Sequence, residues 1–147
     1  MSGLGDIPIR IDSGYADPEG PSAMVDALAR ELEQALTRYL DQAENQLIDL
    51  RGLPLTRADF EALQTLLGTG EVRATLEVSG PSEVWETAYA GVWWIRHRTS
   101  ADNIVAEYLE VGAIPAILKS HPDDMRVAAE RLGTHLNEAN LSVTTRN

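Results

Sequence analysis

Three histidines, two closely spaced glutamates and a run of tryptophans and arginines are the residues here whose types and spacing could do chemistry. His135 stands three residues before Glu138, which puts both on one helical face, and such a pair can ligate a metal. A metal site needs three or four converging ligands, however, and no second His-x-x-Glu pair occurs. His121-Pro122-Asp123-Asp124 reads as a helix start whose acids complement the helix dipole, and His97 has no ligand partner in sequence. Glu83 and Glu86 flank Trp85 and could divide acid and base roles. On a strand their odd spacing sends them to opposite faces. There is no cysteine for a thiol nucleophile, a disulfide or an iron–sulfur cluster, and no Gly-x-Ser-x-Gly elbow. The residues call for neither an enzyme nor a cofactor.

The aromatic cluster is a different matter. Trp85, Glu86, Trp93, Trp94, Arg96 and Arg98 lie within one extended segment, and Trp and Arg are enriched at interface hot spots. Adjacent Trp93 and Trp94 must point to opposite sides of a sheet. If helices cover only one side, at least one tryptophan faces the less covered side, where with Arg96, Arg98 and Glu86 it makes a partner-binding surface. The alternative packs both indoles, one under helices and one under a loop.

The elements that position this cluster follow from periodicity. Val72, Ala74, Leu76 and Val78 alternate with Arg73, Thr75, Glu77 and Ser79, which predicts a half-buried strand. Gly80-Pro81-Ser82 breaks it, and a second extended segment runs from Glu83 to His97. On that segment Trp85, Thr87, Tyr89, Gly91, Trp93 and Ile95 share one face, and Gly91 signals a bulge or a close backbone approach. Ile104–Val111 is a third strand, apolar on both faces. Before the strands, helical spacing from Val25 to Ile48 predicts a long helix from Pro21-Ser22 to about Leu50. Thr56 caps a second helix bearing Phe60, Leu63, Leu66 and Leu67, with Asp59 in its first turn. After the strands come a short helix, Ala113 to Lys119, and a last helix from Ser120 bearing Met125, Val127, Ala128, Leu132 and Leu136. Leu141 to Asn147 reads as a weak strand or a frayed tail, and Ile7, Ile9 and Ile11 as a short edge strand around Pro8.

This grouping predicts an α+β fold, an antiparallel sheet of three to four strands with helices on one face. The 147 residues form one domain: a loop-like segment at 1–21, two helices across 22–67, strands across 70–111 and helices across 113–140. Apolar residues make up 44% and charged residues 24%, as a folded globular chain requires. The formal charge of −11, with Lys119 the one lysine, argues against nucleic acid. Residues 1–50 hold ten acids against three arginines, a balance of −7, so Asp41, Glu44 and Asp49 belong to an acidic surface suited to a basic partner. No signal-peptide pattern and no ~20-residue apolar run occur, so a cytoplasmic protein with no membrane insertion is expected.

Three motifs carry a resemblance. LLGTGEVRATLE, EVWETAYAGVWWIRH and YLEVGAIPAILKSHPDD are similar to the C-terminal homology region of the HupH/HyaF hydrogenase expression and maturation family. They place Leu67–Val72, Glu86–Trp93 and Ile114–Leu118 in the family's order, and the resemblance covers Leu66 to Asp124. It implies a non-catalytic accessory protein in the maturation of a [NiFe] uptake hydrogenase. Such a protein acts as a chaperone that holds the iron–sulfur small subunit precursor before twin-arginine export, alongside other hydrogenase maturation factors. The family offers no catalytic residues to carry over. Its members are longer chains that carry this region twice. This chain carries it once, which leaves room for a stand-alone form or a homodimer. A general protein-interaction or homodimerisation module of another pathway is the alternative.

Overall fold

The computed structural model describes residues 22–77 and 79–146, in two compact units, Met1–Ala113 and Ile114–Asn147. The loop-like segment at 1–21, the edge strand expected around Pro8, and Val78 lie outside the described residues.

In the first unit, α1 spans Ala23–Gln42 and starts where the Ser22 hydroxyl accepts the Met24 amide. It buries Val25, Leu28, Leu32 and Ala35, the stripe that its apolar spacing predicts. It does not reach Leu50. Ala43 turns left-handed (φ 54°) and its amide closes on the Tyr39 carbonyl, and the chain leaves the helix there. Gln46–Asp49 instead form a strand, β1, paired antiparallel with the last strand of the sheet. Exposed Leu47 and buried Ile48 and Leu50 give the period of two that the longer helical stripe had masked. The open backbone edge of a neighbouring strand outweighs a few further turns of an exposed helix. α2, Arg57–Leu67, begins with a reciprocal capping box between Thr56 and Asp59, as the sequence predicts.

The sheet continues with β2 (Arg73–Glu77), β3 (Pro81–Glu86), β4 (Val92–Arg98) and β5 (Ile104–Val111), all antiparallel in the order β1-β5-β4-β3-β2. The fold is α+β as expected, with five strands rather than three or four. The extra strands have two sources, β1 and the division of the expected Glu83–His97 strand. Residues 87–91 form a tight reversal in which the Thr87 amide donates to the Val92 carbonyl and Gly91 sits at φ 84°. Gly91 therefore serves a turn, not a bulge within a strand. Trp85 consequently stands opposite Trp94, on the same face, instead of sharing a face with Trp93.

α1 and α2 cover one face. Their leucines pack with Ile48, Leu50, Trp85, Val92, Trp94, Leu109 and Val111 in one core. Residues of the opposite face, Val84, Trp93 and Ile95, are buried as well. The second unit holds a 3-10 turn at Ala116–Leu118 and a third helix, α3, Pro122–Thr144, capped by the His121 ring. The expected tail from Leu141 is helical through Thr144, and no residue of α3 is buried.

Candidate functional site

The register of β2, β3 and β4 builds the site. Arg73 lies opposite Trp85, Trp85 opposite Trp94, and Glu83 opposite Arg96, so all five side chains project from the helix-bearing face. The two indoles stack with centroids 5.7 Å apart and planes 8° from parallel. The guanidinium carbons of Arg73 and Arg96 lie 5.8 and 5.1 Å from the Trp85 ring centroid, within cation–π range.

Charge pairing fixes the rest. Glu107 on β5 is buried, and its carboxylate accepts from Trp94 Nε1 at 2.9 Å and from Arg96 Nε at 3.2 Å. Those two donors make the burial of that charge tolerable. Glu83 lies 4.0 Å from Arg96 and 3.7 Å from Arg98, and Arg98 also reaches Asp102 at 3.5 Å. Among the described residues no carboxylate lies within salt-bridge distance of Arg73, whose guanidinium rests over Trp85 and is exposed. The result is a pocket of about 300 Å³ lined by Arg73, Glu83, Trp85, Trp94, Arg96 and Arg98, and by Gln64, Gly68 and Thr69 at the end of α2. Three arginines line it against one glutamate, Glu83, with buried Glu107 paired to Arg96, a local excess of positive charge in a chain of net −11.

The pocket contains no nucleophile paired with a base, and no cluster of metal-ligating residues occurs among the described residues. Its planar donors over an aromatic floor suit an anionic, carboxylate-like group or a polar segment of a partner. His97 and His121 have local roles. His97 Nδ1 shares a 2.7 Å hydrogen bond with the Ser82 hydroxyl, and the His121 ring caps α3.

Of the residues singled out from sequence, Trp85, Trp94, Arg96 and Arg98 come together here. Glu86 and Trp93 do not. They oppose each other on the other face, where Trp93 Nε1 donates to the Gly112 carbonyl at 3.0 Å. The expected exposed tryptophan is absent, since Trp85, Trp93 and Trp94 are 9%, 6% and 1% exposed. Both faces of the central strands are covered, so what the site presents to solvent is arginine rather than indole. Arg73, Glu83 and Glu107 were not assigned to a site by sequence reasoning. The signal for Arg73 was its place on the polar side of an alternating strand joined to β3 by a short turn, which puts it opposite Trp85.

Asp41, Glu44 and Asp49 are exposed. Asp49 Oδ1 accepts the Arg51 and Gly52 amides at 3.1 and 3.2 Å, so it also holds a turn. Elsewhere on the first unit, along α1, Leu32, Leu36, Leu66, Leu67, Tyr89 and Val92 line an apolar cleft of about 270 Å³ that also includes Glu33.

Residues 23–139 match the conserved region described as "HupH hydrogenase expression protein, C-terminal conserved region". The chain is 37% identical over 93 residues to the hydrogenase expression/formation protein HupQ of Azotobacter chroococcum, covering 63% of this chain and 32% of that protein. It is 29% identical over 126 residues to the hydrogenase expression/formation protein HupH of Rhizobium leguminosarum, covering 86% and 44% respectively. The match thus spans less than half the length of these relatives. Among solved structures, the hydrogenase expression protein HupH from Thiobacillus denitrificans superposes with a TM-score of 0.73 at 40% identity, over 81% of this chain and 98% of that one.

Proposed function

The chain belongs to the HupH hydrogenase expression protein family, and from that premise we propose that it is a non-catalytic chaperone in [NiFe] hydrogenase maturation that holds the iron–sulfur small subunit precursor. The single observation that carries this reading is the match of residues 23–139 to the family's conserved region. Two surfaces of the first unit support it. The arginine pocket takes polar or acidic groups of the folded part of the client, with Trp85 and Trp94 as its floor and Arg73, Arg96 and Arg98 as its donors. The acidic side of α1 and the apolar cleft along that helix suit a twin-arginine leader, in which a basic stretch precedes an apolar one. Work of this kind places the protein in the cytoplasm, where the precursor waits before export. No helix among the described residues is long and apolar enough to cross a membrane.

Co-purification with the small subunit precursor, with and without its leader, tests this. Arg73→Ala is the apt pocket variant because Arg73 is exposed and unpaired with any described carboxylate. Trp94→Ala is not. It removes a buried indole at a cost of about 3–5 kcal/mol and strips Glu107 of a donor. We expect the precursor to be retained, with weaker retention in Arg73→Ala combined with Arg98→Ala. Removing the leader, or making Asp41→Asn with Glu44→Gln, should cost a separate share of the affinity. Failure of every form to bind overturns the chaperone reading and leaves a general interaction module.

A further inference from the structure

α3 is 23 residues long, about 35 Å, and none of those residues is buried. Most helical stability in proteins comes from packing of an apolar face rather than from propensity. α3 has such a face, left open. Met125, Ala129, Leu132, Leu136, Ala139 and Val143 recur at spacings of 4, 3, 4, 3 and 4, the a/d pattern of a coiled coil. Met125, Leu132, Leu136 and Val143 are 59%, 61%, 55% and 70% exposed.

We infer that α3 is a self-association helix that pairs antiparallel with α3 of a second copy of this chain. Three features identify the occupant. A 3–4 apolar repeat is the surface another helix fits, knob into hole. In side-chain size the stripe reads large, small, large, large, small, large, and so reads the same in both directions. A two-fold axis near Thr134 then sets Met125 against Val143, Ala129 against Ala139 and Leu132 against Leu136, each twice, as an isologous interface demands. Charge points the same way. The positions flanking the stripe are Arg126, Ala128, Gly133, His135, Asn140 and Ser142, none of them acidic. Asp123, Asp124, Glu130 and Glu138 all fall on the outer positions of the repeat. In a chain of net −11, this is a surface on which two copies meet without placing acid against acid.

Light scattering coupled to size exclusion, run on the full chain over a range of concentrations, gives the mass directly. The 16.1 kDa chain should shift toward twice that mass as concentration rises, and Leu132→Glu with Leu136→Glu should stay monomeric. All three tryptophans lie in the sheet strands, so an unchanged near-ultraviolet dichroism signal shows that the first unit of the variant remains folded. Orientation is read by cross-linking, because the native chain has no cysteine. A short thiol-to-thiol linker should join a mixture of Ala129→Cys and Ala139→Cys chains, and join neither variant to itself. A monomer at every concentration, or a dimer that survives the double glutamate variant, overturns the inference. Self-linking of Ala129→Cys overturns the antiparallel register.

Discussion

Asp59 ties two parts of the chain together with one carboxylate. It accepts the Ser22 amide at 2.7 Å and the Thr56 amide at 2.9 Å, so the starts of α1 and α2 are tied to a single side chain. It is fully buried, and the Thr56 and Ser22 amides hold its carboxyl at about 2, below its ordinary 3.8, against the opposing effect of burial. Because the folded state favours the ionised form, this contribution is complete above about pH 4 and drains away as the pH falls toward 2. Asp59→Asn should destabilise the protein by about 2 kcal/mol at neutral pH in urea unfolding. The gap between variant and parent should close between pH 4 and 2, and a gap independent of pH would deny the carboxylate this role. Sequence showed Asp59 as a helix-start acid, but its bond to Ser22 spans 37 positions and had no local signal.

The hairpins are the elements that build the candidate site. β2 and β3 are joined through Ser79 and Gly80, with Gly80 at φ 130°, a conformation that L side chains rarely adopt. A Cβ there would also run into the Arg98 carbonyl oxygen. Gly80→Ala should therefore cost about 1–3 kcal/mol of backbone strain and loosen the strand that lays Arg73 over Trp85. Amide exchange in Arg73–Glu77 should speed up more than exchange in β5. Equal protection in both strands would show that the hairpin relaxes without moving Arg73. The alternation of β2 was legible because one face is uniformly apolar, and the bounds of β5 because both faces are apolar apart from Glu107 and Glu110. The β3–β4 reversal was not legible, since Thr87 and Tyr89 continue the alternation of the flanking strands and the turn is closed by a backbone bond from the Thr87 amide to the Val92 carbonyl.

Across the whole molecule, charge and apolar surface are segregated. The acidic excess gathers in the first third of the sequence, three of the eleven arginines converge at one pocket, and the stripe of α3 is free of acids. These surfaces should respond to salt with opposite signs. Added salt screens the repulsion between two copies of net −11, so it should tighten α3-mediated pairing and weaken capture of a basic leader. Sedimentation and leader-peptide titration in low and moderate salt would read both. Pairing that weakens with salt would mean that its contacts are ionic rather than the apolar stripe.

The sequence by itself determined the α+β class, the capping of α2, the period of β2, the bounds of β5, the lack of thiol chemistry and, through three ordered motifs, the hydrogenase expression family. Each of these is local: a spacing, a cap or a composition is complete within a few turns of chain. Tertiary structure alone decided that α1 stops at Ala43 and gives way to an edge strand, because that choice depends on the open backbone of β5, some sixty residues away. It also decided that Trp85 meets Trp94, that all three indoles are buried, and that Arg73 joins Arg96 and Arg98. Those outcomes hang on one reversal at Gly91, and moving a strand boundary in a period-two structure reassigns the side chains beyond it to the opposite face.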